Sequence, residues 1–177
     1  PLTEFYGLDD PEAALERHFQ DLETRPFLAG EEGVRLSLAG GQKKTALALL
    51  DADGHPVLRL PQVGDVLAIP RNGAPSSLIL KPDNENLPGI VENEAYCLAL
   101  ARAVGVEAAQ ATIAPAGNRK ALCVLRYDRR LSEQGRVLRL HQEDFAQANG
   151  VPPGRKYEHG TLAGPSLAQI LATGHRL

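Results

Sequence analysis

The residues best suited to do chemistry in this chain are two pairs: adjacent glycines and adjacent lysines. In Ser37-Leu38-Ala39-Gly40-Gly41-Gln42-Lys43-Lys44-Thr45 they lie between runs at 34–38 and 45–50 that alternate or run apolar as strands do. A strand–glycine turn–strand hairpin lays backbone N–H groups against phosphate oxygens, because a residue without Cβ lets the main chain come close. Lys43 and Lys44 add positive charge beside that turn. Lys81 ends a further strand-like run, Ser76-Ser77-Leu78-Ile79-Leu80-Lys81, ahead of a loop and a helix opened by Glu92 and Glu94. A lysine there is a point charge for the α- and β-phosphates of a nucleotide, held by a carboxylate on the next helix. The two glutamates also suit the helix N-terminus through its dipole, and spacing alone does not say which one faces Lys81.

A third segment, Val124-Leu125-Arg126-Tyr127-Asp128-Arg129-Arg130, ends a strand in a charged run. One reading is a solvated strand end with Arg–Asp pairs. The other is a linker between lobes whose main-chain groups read an adenine edge. Taken together, the three segments have the layout of the upper half of a kinase-type ATP site. Each also has a plain reading, as an ordinary hairpin or a solvated strand end.

Other chemistries fit less well. A Walker A loop needs G-x-x-x-x-G-K-[ST]; Lys44-Thr45 are present, but Leu38 and Lys43 stand where glycines belong, and a strand follows rather than a helix. The five histidines, at 18, 55, 141, 159 and 175, show no ligand spacing, so no metal site is expected. No G-x-S-x-G elbow surrounds Ser37, and His141, Glu143 and Asp144 do not make a convincing base or metal cluster. The arginines from Arg126 to Arg139 lack the interleaved aromatics that stack bases. A net charge of −3 gives no general attraction to nucleic acid or anionic membrane. No apolar run approaches the ~18 residues of a membrane span. Cys97 and Cys123 read as two buried thiols in a reducing compartment.

These residues need elements to hold them. Pro11 to Leu22 reads as a helix capped by Asp9 or Asp10, with Ala13, Leu15, Phe19 and Leu22 as its stripe. Strands are expected at 34–38, 45–50, 57–60, 76–81, 109–114, 121–127 and 137–140, with Asp53-Gly54 and Gly117-Asn118 as turns. Residues 62–75 and 82–89 read as Gly/Pro-rich loops. Val91 to Val104 is the strongest helix, striped by Tyr96, Cys97, Leu100, Ala101 and Val104 and closed at Gly105. Residues 142–148 and 166–172 read as short helices, with loop between. Strands early and helices late make an α+β chain with a mostly antiparallel sheet and one main helix at about 90–105. The chain starts at Pro1, holds no methionine and stops just after a short helix, and so reads as a piece of something longer.

In order, these motifs closely resemble the HipA family of bacterial serine/threonine protein kinases, toxins of HipA–HipB toxin–antitoxin systems. The matching pieces are Ser37 to Leu47, Ile79-Leu80-Lys81-Pro82, Val91 to Cys97, Ala116-Gly117-Asn118 and Arg126 to Arg130. Leu140 to Asp144, Gly150-Val151-Pro152-Pro153 and Lys156-Tyr157-Glu158 follow. The resemblance implies a helical remnant of an amino-terminal subdomain at 1–33, an ATP-binding kinase-like lobe at 34–128, and the start of a helical lobe at 129–177. It implies that Ala39, Gly40, Gly41, Gln42, Lys43 and Lys44 form the phosphate loop and that Lys81 touches the phosphates. By the same likeness Glu94 supports Lys81, and Leu125 and Tyr127 offer main-chain groups to adenine. Ser37 would be the serine such kinases phosphorylate on themselves.

Two positions depart from the family pattern: Lys43 replaces a usual glutamate, reversing a charge beside the phosphates, and Leu125 replaces a residue that is often acidic. No aspartate–asparagine catalytic loop or metal-binding aspartate motif follows Tyr127, so the catalytic base and the Mg²⁺ ligands are expected outside these residues and this piece alone is expected to be inactive. The implied cofactors are ATP and Mg²⁺. The implied partners are a HipB-like helix-turn-helix antitoxin and an aminoacyl-tRNA synthetase substrate, with DNA reached only through the antitoxin and no membrane. The implied location is the bacterial cytoplasm. Two other classes stay open: a non-catalytic module that binds a nucleotide or a partner, and a small-molecule phosphotransferase.

Overall fold

A computed structural model of the protein describes residues 6–7, 42–116, 119–159 and 161–176. The expected helix at 11–22, the strand at 34–38, the turn at Gly117-Asn118, and Ser37, Ala39, Gly40 and Gly41 lie outside the described residues.

The described strands are β1 (Tyr6–Gly7), β2 (Thr45–Leu50), β3 (Pro56–Val57), β4 (Val66–Pro70), β5 (Leu78–Pro82), β6 (Ala111–Ala116), β7 (Arg119–Leu125), β8 (Arg129–Leu131) and β9 (Val137–Arg139). The described helices are α1 (Ile90–Ala103), α2 (Phe145–Ala148) and α3 (Leu167–Gly174). This is the α+β chain with one main helix that the sequence predicts. Seven strands form one antiparallel sheet in the order β1-β4-β2-β5-β7-β6, with β3 also on β2, while β8 and β9 pair as a separate hairpin.

β2 is central and buried along its whole length, which explains why Thr-Ala-Leu-Ala-Leu-Leu shows no polar alternation. Its side chains feed two cores. Leu47 and Leu49 meet Leu78, Leu80, Ala121 and Cys123, and on the other face Ala48 and Leu50 meet Ala68. Cross-strand register makes these contacts direct: Leu47 pairs with Leu78, and Leu80 with Cys123. Burial pushes the Cys123 thiol up to about 12, so it packs as an inert apolar group. Cys97, by contrast, is exposed and is not the buried thiol the sequence predicts.

Three further expectations change. Residues 62–75 are not all loop, since β4 runs through them. Pro61, Pro75 and the glycines at 64 and 73 punctuate the segment, but four apolar residues from Val66 to Ile69 suffice to extend the sheet, and Pro70 sits at the strand end where a missing N–H is tolerated. The strand expected at 57–60 shrinks to Pro56–Val57. Beyond it, Arg59 turns to meet the Asp65 carboxylate with both guanidinium nitrogens, Nη2 at 2.7 Å from Oδ1. The third change concerns α1. Tyr96, Leu100 and Val104 are 66%, 47% and 68% exposed, and Val91 is the buried residue. The inward face runs through Val91, Glu94, Ala95, Leu98 and Ala101 instead. Both faces carry apolar side chains at helical spacing, so periodicity alone cannot choose between them.

α1 packs on β6 and β7. Gly105 ends it as predicted. The Val106 N–H reaches Ala101 O at 2.9 Å, the Gly105 N–H reaches Arg102 O at 3.1 Å, and Gly105 holds φ at +84°, a conformation that costs a side-chain-bearing residue energy.

The chain separates after Arg139 into two compact units. Within the second, α2 is shorter than the expected 142–148. Asp144 is its cap and not part of a catalytic cluster: its carboxylate accepts the Gln147 N–H at 2.8 Å, while Gln147 accepts the Asp144 N–H. Ser166 and Gln169 cap α3 in the same reciprocal way, and Thr173 donates to Asn149 at 2.9 Å.

Candidate functional site

The sheet brings the two lysines together. Thr45 pairs with Leu80, so one step further along the antiparallel ladder Lys44 stands across from Lys81. Lys81 alternates away from the Leu80 core face and forms an ion pair with Glu94 on the inward side of α1. The structure thus selects Glu94 for Lys81, while Glu92 pairs with Lys120 of β7. Two ion pairs from the first turns of α1 tie the helix to neighbouring strands.

Lys44 is buried, and its ammonium donates to Gln42 O at 2.5 Å. Burial and the nearby Lys81 charge pull its pKa below the ordinary lysine value, and Glu94 acts in the opposite direction. Two ammonium groups and one carboxylate near one another leave a net positive charge at this end of the strands.

Gln42 and Lys43 line a cleft of about 270 Å³ together with Pro82, Asp83, Asn84, Glu85, Asn86 and Arg119. Arg119 on its wall donates to the Asp83 carboxylate at 2.8 Å. Gln42 Nε2 is a buried donor without a hydrogen-bond partner among the described residues. The exposed Lys43 stands on the same wall.

Leu125 and Tyr127 lie at the other end of the same strands. Leu125 closes β7 opposite Leu78 and donates its N–H to Gln110 O at 2.8 Å. Tyr127 sits in the turn to β8, 76% exposed. The charged run around it is not a solvated strand end. Asp128 and Arg129 are 6% and 8% exposed. The Asp128 carboxylate accepts Arg126 Nε at 2.8 Å and Nη2 at 2.6 Å, and pairs with Arg129 Nη1 at 2.8 Å. Burial alone would raise the Asp128 carboxyl, but the two guanidinium groups outweigh it and hold it below the usual range. Sequence reasoning reaches the Arg–Asp pairing of these residues but not its burial. Opposite charges placed directly after a buried strand were the available signal.

A group of possible metal ligands, Asp51, Asp53 and His55, lies in the β2–β3 turn, at the far end of β2 from Lys44. Among the described residues, no such group of three lies beside Lys44 and Lys81.

Comparison with known proteins identifies the family of the chain. The family described as HipA-like C-terminal domain matches residues 36–177. The "Putative kinase Y4mE" of Sinorhizobium fredii is 45% identical over 146 residues, which is 82% of this chain and 32% of that protein. The "Serine/threonine-protein kinase toxin HipA" of Shewanella oneidensis is 34% identical over 137 residues, 77% of this chain and 28% of that protein. Among solved structures, a chain of the Shewanella oneidensis MR-1 toxin–antitoxin complex of HipA, HipB and operator DNA superposes with a TM-score of 0.55 at 28% identity, over 88% of this chain and 33% of that one. The chain spans about a third of the length of the relatives it matches. It belongs to the HipA-like C-terminal domain family.

Proposed function

We propose that this chain is the ATP-binding part of a HipA-like serine/threonine protein kinase, which passes the γ-phosphate of ATP to a serine hydroxyl. The observation that carries the reading is the convergence of Lys44 and Lys81, with Glu94 bracing the second. Two ammonium groups placed together repel each other, Glu94 offsets part of that repulsion, and nucleotide phosphates would offset more of it. In this reading residues 39–44 wrap the phosphates, and Leu125 and Tyr127 present main-chain groups to the adenine. Residues 34–128 form the kinase-like lobe, and 129–177 begin the helical lobe. Ser37 is the self-phosphorylation site. The catalytic base and the Mg²⁺ ligands come from the rest of the protein, whose relatives are about three times longer.

Relatives named as a toxin kinase and solved with HipB and operator DNA support two further assignments: a helix-turn-helix antitoxin partner, through which DNA is met, and a protein substrate, proposed as an aminoacyl-tRNA synthetase. A bacterial cytoplasmic location goes with that substrate. Among the described residues no helix is long and apolar enough to cross a membrane.

Calorimetric titration of the whole protein with ATP tests the reading. Lys81→Ala is expected to weaken binding by about 1–3 kcal/mol, the range for charge-assisted contacts. Equal affinity in variant and parent would remove Lys81 from the site.

A further inference from the structure

We propose that Asp128, with Arg126, Arg129, Ser76 and Ser77, is a positioning cluster that fixes the main chain at Leu125–Tyr127 against β2 and β5 and so sets the base selectivity of the nucleotide site. The inference rests on the nucleotide reading above and adds to it the residues that determine which base is read.

The bonds form an unbroken path. Arg126 and Arg129 clasp the Asp128 carboxylate and direct further donors onto one short segment, the entry to β5. Arg126 Nη1 donates to Ser76 Oγ at 3.3 Å, and Arg129 Nε donates to Ser76 O at 2.8 Å. The Arg126 N–H reaches Ser77 O at 3.0 Å. Ser77 passes the connection on, its N–H donating to Leu47 O at 2.9 Å and its hydroxyl accepting the Leu49 N–H at 2.9 Å. Leu47 and Leu49 belong to β2, which begins immediately after Lys44. The turn proposed to read the base is therefore braced on both serines, and the strand that follows a phosphate-side lysine is braced on one of them, Ser77.

Stability alone does not account for the cluster. Burying an ion triad commonly gains no more stability than well-packed apolar side chains would, and in some proteins what it contributes is a single geometry. Geometry is what a main-chain reader needs. Tyr127 is exposed and gives the turn no packing of its own, and a shift of well under 1 Å degrades a pair of hydrogen bonds.

The test titrates the whole protein with ATP, with ITP and with inorganic tripolyphosphate. ITP reverses the donor and acceptor on the base edge, and tripolyphosphate has no base. Asp128→Asn is expected to cut the preference for ATP over ITP about tenfold, the equivalent of one or two neutral hydrogen bonds, while tripolyphosphate affinity stays within about twofold. Ser77→Ala, a milder change, is expected to move the preference in the same direction by about threefold, and it decides the matter if Asp128→Asn does not fold. A role in folding alone would lower all three affinities together or none. An unchanged ATP/ITP ratio in the folded variants overturns the positioning role, as does a parent protein without that preference. A parent that binds ATP and tripolyphosphate no better than buffer ions overturns the nucleotide reading itself, and this inference with it.

Discussion

Lys44 shows how a single residue carries the tension between folding and function in this site. It is buried, it lies across from Lys81, and its pKa is pulled down first by burial and then by that neighbouring charge. With the folded-state value below the unfolded one, the unfolded chain binds more protons between the two values. Stability contributed at this position therefore rises as pH climbs through that window toward the ordinary 10.5, and below the window the charged form remains a liability. Lys44→Met keeps the length of the side chain and removes the charge. It is expected to stabilise the nucleotide-free protein by about 1 kcal/mol at neutral pH, in the range of other single stabilising changes, while weakening ATP binding. Denaturant melts with and without ATP measure both quantities. A variant that lost stability without ligand would show that the Lys44 contacts outweigh its electrostatic cost. Asp128 is the opposite case, a buried charge whose partners more than offset its desolvation.

At the level of elements, α1 decides where Glu94 points, and its rotation is the feature the sequence disclosed least. The outward stripe of Tyr96, Leu100 and Val104 is as periodic as the inward one. What turns the helix is the Lys81–Glu94 pair, the Glu92–Lys120 pair and packing on β6 and β7, all contacts between residues far apart in the chain. The two faces differ in a measurable way. Val91→Ala is expected to cost about 2 kcal/mol of unfolding free energy, the usual loss for a buried aliphatic side chain, and Leu100→Ser to stay within about 0.5 kcal/mol. Similar costs at both positions in urea melts would mean that the Leu100 face is covered too.

The same reason, distance in sequence, divides what could be read from what could not. The central strand at 45–50, the run ending at Lys81, the helix stop at Gly105 and the β6–β7 hairpin have local signatures of apolar runs or turn residues, and all were legible. β4 was hidden by flanking prolines and glycines. The burial of Asp128 and Arg129 was hidden because Ser76, which Arg126 and Arg129 both reach, lies some 50 residues earlier in the chain. Of the site, the pairing of Lys81 with Glu94 rather than Glu92 needed the fold. Lys44 and Lys81 themselves needed only the sequence to be noticed.

At the scale of the whole molecule, the first compact unit carries the sheet, α1 and both lysines, and the second carries two short capped helices. The second unit comprises residues 140–177 and leaves Leu162, Leu167 and Leu171 more than half exposed, a small core for independent stability. Phosphoryl transfer needs a positioned base and metal ligands beyond the phosphate contacts proposed for Lys44 and Lys81. In the whole protein, incubation with ATP is expected to place phosphate on Ser37, read by mass spectrometry of the intact chain and its peptides. Lys81→Ala is expected to slow that modification by about 100-fold or more, the scale of losing one charge that stabilises a transition state. Phosphate absent from Ser37 in an otherwise active kinase would remove the self-phosphorylation role and leave the binding site standing. Phosphate that accumulates on Ser37 at the same rate in Lys81→Ala would mean that Lys81 takes no part in the transfer.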